Sequence, residues 1–193
     1  MKKLLIGLAL LPLAGCISFG ADAPDSLLSL TSTEQVPVGQ AQSSAGARTI
    51  TIQVPNVPQA LANNRVPVQA TATDIAYVKD AQWVEPPARQ FARVLSDTVG
   101  ARSGRVVLSG AQSFADPGAR LAGELRNFGI DAASSSAVVT YDAALVRDEG
   151  GAVEKRRFEA RVPVSAIEAG PVGVALNQAA NQVAVEVADW VGR

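Results

Sequence analysis

At 193 residues the chain can hold one ordinary domain with its own core, and is too short for two large ones. Hydrophobic residues make up 48% but aromatics only 5%, so the core must be built mainly from Val, Ala and Leu. A net charge of −1 argues against a nucleic-acid surface; the absence of histidine excludes His-dependent nucleophiles, and a single cysteine excludes an intrachain disulfide.

The chain begins MKKLLIGLALLPLAGC. Lys2 and Lys3 form a positive start, and Leu4 to Leu13 an apolar stretch of about ten residues, where a spanning helix needs about 20. Leu13-Ala14-Gly15-Cys16 is similar to the lipobox of bacterial lipoproteins. The Cys16 thiol would take diacylglycerol through a thioether, and small residues before it would admit a peptidase to the Gly15–Cys16 bond. The new amino terminus can take a further acyl chain; two or three chains anchor stably where one is marginal. The rival reading is a plain secretory signal with an incidental cysteine. The chain thus divides into a signal peptide (1–15), a lipidated N-terminus and tether (16–24) and a domain (25–193). Ile17 stands where Asp usually signals inner-membrane retention, which implies sorting to the periplasmic face of a Gram-negative outer membrane.

Ser26 to Thr31 reads as a first strand, and Gly39 to Ala47 as a small, polar, flexible loop. Thr49 to Val54 alternates β-branched and polar residues, the pattern of a strand, closed by Pro55 and Pro58. Val66 to Thr71 and Ile75 to Val78 are short strands around a turn at Asp74. Pro86-Pro87 opens a helix, because proline fits the first turn. Ala88, Phe91, Ala92, Leu95 and Val99 share its apolar face, Arg89, Arg93 and Asp97 lie opposite, and Gly100 is the expected stop.

Arg105 to Leu108 is a short strand, followed by a loop at Asp116-Pro117-Gly118. Arg120 to Ile130 and Ala137 to Val146 are longer strands, the second apolar on both sides, which predicts a sheet covered on both faces. Asp148-Glu149-Gly150-Gly151 predicts a hairpin turn into a strand where Phe158, Ala160, Val162 and Val164 alternate with polar residues. A last helix spans about Val172 to Val191. Its stripe is Val172, Leu176, Ala179, Ala180, Val183, Val187, Trp190 and Val191, with Gln178, Asn181, Glu186 and Asp189 facing away. Strands with a middle and a terminal helix read as α/β with a mixed sheet.

Three stretches carry a family resemblance. Asp74-Ile75-Ala76-Tyr77, then Ala81-Gln82-Trp83-Val84-Glu85-Pro86-Pro87, resembles the family's tyrosine-bearing strand and W-x-(E/D)-P helix start. Leu121 to Phe128 is similar to its strand ending in phenylalanine, and Gly173 to Ala179 with Asp189-Trp190-Val191 to its A-x-N-x-A helix with a terminal tryptophan. These resemble the ABC-type transport auxiliary lipoproteins, the PqiC-like lipoproteins, over nearly all of the chain after Cys16. One departure is Ser26-Leu27-Leu28, where members often carry a tyrosine. The resemblance implies a three-layer α/β/α domain with a mixed, largely antiparallel sheet and a long C-terminal helix. It also implies a partner role beside an ABC ATPase, a permease and an MCE-type lipid-carrying protein that move phospholipids or other lipids between membranes, with homo-oligomerisation left open.

Trp83, with Glu85 and Pro86, is a candidate partner surface, since aromatics anchor interfaces; equally, Trp83 and Trp190 close the core at helix ends and Glu85-Pro86 sets the start of a helix. Glu124 and Asp142 could form a carboxylate pair, but nothing in their spacing indicates one, and they are expected to bridge to Arg126 or other neighbours, with Lys155-Arg156-Arg157 a solvated surface. Gly100-Ala101-Arg102-Ser103-Gly104 lacks the lysine of a phosphate-binding loop, so ATP hydrolysis would fall to another subunit. No catalytic set, metal site or cofactor site is predicted. The reading is a non-enzymatic lipoprotein that docks an MCE-type conduit at the outer membrane; the alternative is a structural lipoprotein of envelope or secretion-system assembly.

Overall fold

The computed structural model describes residues 25–114, 118–147 and 151–193. The predicted signal peptide with its lipobox, Cys16, the whole tether (16–24), Asp116-Pro117 and Asp148-Glu149-Gly150 lie outside the described residues.

Chain order is β1 (Thr49–Ile52), β2 (Arg65–Gln69), β3 (Ile75–Gln82), α1 (Pro87–Arg102), β4 (Val106–Leu108), β5 (Ala119–Asp131), β6 (Ser136–Val146), β7 (Val153–Pro163) and α2 (Ala169–Gly192). The seven strands make one mixed sheet. β5, β6 and β7 form its long antiparallel half, with Tyr141 opposite Leu125 on one side and Phe158 on the other. The far side of β5 is shared. β1 pairs in parallel with its start and β2 with its end, and β4 and β3 lie outside them. Between β1 and β2 the chain still follows β5: Asn56 N donates to Gly123 O at 2.9 Å, and Leu125 N to Asn56 O at 2.8 Å.

The α/β class, the mostly antiparallel mixed sheet and the long C-terminal helix are as the sequence predicts; the layering is not. Tyr141 and Phe158 face each other in register and therefore share a face. Phe91 of α1 meets Tyr141 edge-on at 5.4 Å, and Trp190 of α2 meets Phe158 at 5.6 Å. Both helices thus lie on one face, and the described domain has two layers. On the opposite face Val138 and Thr140 of β6 are buried, but long side chains of the flanking strands cover them. Thr140 donates to Glu159 and accepts from Asn127, at 2.9 and 3.2 Å. Burial on both sides was legible in the pattern; whether a helix or neighbouring side chains supplied the cover was not.

Other differences are local. Gly100 stays helical, and α1 runs on to Arg102. The Ser103 N–H and hydroxyl both bond Val99 O, and the turn is completed at Gly104, whose φ of +67° favours glycine. Ser26 to Thr31 makes only one bridge, Leu28 with Trp83, before leaving the sheet. β3 runs four residues further than predicted, through a bulge opposite β2 where Asp80 takes φ +55°. Gly123 is required by a close approach: a Cβ there would sit 2.2 Å from Asp142 O and 2.7 Å from the Tyr141 ring.

One continuous cluster, from Ile50 to Val191, joins the sheet to both helices. A chain beginning at residue 25 is therefore expected to fold without lipid and to melt in a single cooperative transition. Aggregation, or amides without hydrogen-exchange protection, would refute a self-sufficient core.

Candidate functional site

The turn from β3 into α1 holds the residues singled out in the sequence. Trp83 is 1% exposed. Its backbone N–H donates to Asn64 O at 2.7 Å, and its ring meets Phe128 edge-on at 5.6 Å. Trp83 therefore belongs to the core and is not offered to a partner in this structure, which corrects its place in the predicted surface. Trp190, 8% exposed, likewise closes the core at the end of α2. Glu85 and Pro86 are half-buried. Glu85 pairs with Arg93, whose hydrogen bond holds the carboxyl below the usual carboxylate range. Pro86 is extended at φ −51°, ψ 134°, and Pro87 begins the helix, where a missing N–H costs nothing.

The same turn secures the leading segment of the domain. Gln90, buried in α1, donates to Glu85 O at 2.9 Å and accepts from Leu30 N at 2.8 Å. From α2, Asn177 accepts from Thr31 N at 2.9 Å. Asn181 donates to Thr31 O at 2.9 Å and accepts from Thr33 N at 2.8 Å. Glu34 then bonds Arg102 at 2.7 Å, and Arg102 reaches Asp189 of α2 at 3.0 Å. Three side-chain amides thus satisfy a backbone that has left the sheet, which would otherwise lie on the helices with polar groups unmet. Asn181, expected to face solvent, is 6% exposed because it meets this strap. Periodicity could not show it, since the partner is some 150 residues away in sequence; an amide interrupting an apolar stripe was the available signal.

Asn181→Ala should cost about 1–3 kcal/mol, the range for a buried hydrogen-bonded group whose partners are left unpaired. Hydrogen exchange at Thr31 and Thr33 should speed up well before the global transition. Unchanged protection there would show that Asn181 does not hold the strap.

The open sheet face is a ladder of ion pairs. Arg126 reaches Glu124 and Asp142, at 3.8 and 3.5 Å, as expected from the sequence. Asp142 also takes Arg157 at 2.6 Å, and Arg161 lies between Asp131 and Glu159, at 3.3 and 2.9 Å. The Arg157 hydrogen bond holds the Asp142 carboxyl below its ordinary range, so Asp142 acts as a fixed charge. Lys155 and Arg156 are exposed on β7. Tyr141 donates to Ala122 O at 3.0 Å, and burial pushes its ionisation upward, which makes it a structural hydroxyl. Among the described residues no group of three or more Cys, Asp or Glu could hold a metal, and no helix is long and apolar enough to cross a membrane.

The geometry defines a class: a two-layer α/β module whose leading segment is clamped across both helices and whose other sheet face carries ion pairs. The family model described as "ABC-type transport auxiliary lipoprotein component" matches residues 29–188, and the chain belongs to that family. Protein XCC0632 from Xanthomonas campestris, assigned to DUF330, has a similar crystal structure: TM-score 0.68, 20% identity, covering 86% of this chain and 94% of that one. A crystal structure of an uncharacterized protein is similar at TM-score 0.67 and 17% identity, covering 86% and 99%. These two likenesses show the fold. A PelC dodecamer from Paraburkholderia phytofirmans reaches TM-score 0.42 at 12% identity, covering 76% and 88%, too distant to argue from. The search of curated proteins gives no match.

Proposed function

We propose that this protein is a lipid-anchored, non-enzymatic auxiliary lipoprotein of an ABC/MCE-type lipid transport system. It is held by Cys16 at the periplasmic face of the outer membrane, where it docks the periplasmic lipid-carrying component. The observation that carries this reading is the family match over residues 29–188. The lipobox-like Leu13-Ala14-Gly15-Cys16 and the Ile17 that follows support the anchor and its sorting. The mechanism is positional: an anchor raises the local concentration of the domain at one surface, and a domain clamped to its own leading segment presents a defined face there.

The test is crosslinking in intact envelopes. The protein should co-purify with an MCE-type protein, and its deletion should mimic loss of that protein, with matching sensitivity to detergents. No MCE-type protein in the crosslinked product, with a deletion phenotype confined to secretion or pilus assembly, would overturn the reading in favour of a structural lipoprotein.

A further inference from the structure

The two helices run parallel, which gives the domain two distinct ends. At one, Arg102 closes α1 and bonds Asp189 near the end of α2. Arg147 donates there to the carbonyls of Trp190 and Val191, at 3.3 and 3.2 Å. Val153, in register with Val146, stands at this end, 58% exposed. At the other end both helices begin, and the leading segment leaves the domain. Leu28 N donates to Gln82 O at 2.7 Å, and Val84 N to Leu28 O at 2.9 Å. The start of α2 lies against the same residue: a Cβ on Gly173 would be 2.8 Å from a δ-methyl of Leu28.

The aliphatic side chains that stand open at this leading end include Leu27 at 50%, Val84 at 52% and Val174 at 71% exposure. Exposed apolar residues scattered singly need no explanation. These three adjoin Leu28, since Leu27 precedes it, Val84 bonds it and Val174 follows the Gly173 that lies against it, and the amides of Gln90, Asn177 and Asn181 hold the residues that come next, Leu30 to Thr33. Eight residues separate Cys16 from Asp25. Fully extended, that connection reaches about 30 Å at ~3.3–3.6 Å per residue. With its 24 residues α2 is about 36 Å long at ~1.5 Å per residue. The tether is thus shorter than the helix axis and cannot run back along it to bring the opposite end to the lipid.

We propose that the leading end of the domain seats on the bilayer, with Leu27, Val84 and Val174 in its interfacial region. The proposal rests on the reading that Cys16 carries the anchor. The occupant is a lipid surface because the anchor places one within reach of these side chains, and their apolar area adds to the hold of the acyl chains. Exposed Asp25 and Glu168 lie at the same end beside exposed Arg89, so charges of both signs flank the apolar side chains and the seat is made by apolar burial. The β6–β7 hairpin and the helix C-termini then face the periplasm.

The test uses the full lipidated protein in vesicles of phosphatidylethanolamine and phosphatidylglycerol. An environment-sensitive fluorophore is attached in turn through Val84→Cys, Val174→Cys and Val153→Cys, all exposed positions. Reconstitution should blue-shift emission at 84 and 174, and a lipid-borne quencher should act there several-fold more strongly than at 153. High salt should leave the pattern unchanged. Protein that floats with the vesicles but shows no shift at 84 and 174, or a shift at 153, overturns the seating and leaves the anchor standing. Protein that fails to float overturns the anchor reading, and the seating with it.

Discussion

Cys16→Ser should abolish labelling by an alkyne-tagged fatty acid and leave the signal peptide uncut by the lipoprotein pathway. The effect is expected to be all-or-none. The chain has no other cysteine, so no second thiol can take the diacylglycerol. A serine hydroxyl does not form the thioether that processing follows. Since 29–188 form the family domain and the tether precedes it, the variant should lose its membrane attachment without losing its fold. If anchoring works through local concentration, loss of partner capture should follow from loss of attachment alone. Normal labelling or normal processing of Cys16→Ser would refute lipidation at this residue.

Phe128→Ala should cause one of the largest stability losses of any single substitution in the domain, about 3–5 kcal/mol. Phe128 is 1% exposed and lies between two rings, 5.6 Å from Trp83 and 6.3 Å from Phe91. Phe91 in turn meets Tyr141 at 5.4 Å. With only 5% aromatic residues, the chain gathers a large share of its bulk into this one group. Truncation leaves a cavity between β5, α1 and the turn from β3 into α1, where packed rings on both sides limit collapse. A loss of that size should lower the melting temperature by roughly 6–20 °C in a domain of this length. Phe114→Ala is the control: at 92% exposure it should change stability by less than about 0.5 kcal/mol. Equal melting curves for the two variants would refute the cluster as the centre of the core.

Elements whose signal is local were legible in the sequence. α1 was marked by Pro86-Pro87 and the spacing of Phe91, Leu95 and Val99, and the β7 alternation of Phe158, Ala160 and Val162 matches its burial. The family resemblance was legible because it rests on ordered motifs. Less legible were features that depend on what meets a residue from far along the chain. Trp83 has the composition of an interface anchor, and only its stacking on Phe128 places it inside. Asn181 carries a polar side chain in a helix, and only the strap at Thr31 and Thr33 explains its burial.

By itself, then, the sequence determined the α/β class, the order of strands and helices from Thr49 onward and the family, because each follows from periodicity, spacing or short motifs along the chain. The tertiary structure alone decided that both helices share one face, that the opposite face is closed by ion pairs, and that the leading segment is clamped across α1 and α2. Those outcomes depend on register. Tyr141 and Phe158 lie side by side only once β6 and β7 are paired, and that pairing places Phe91 and Trp190 on the same side of the sheet.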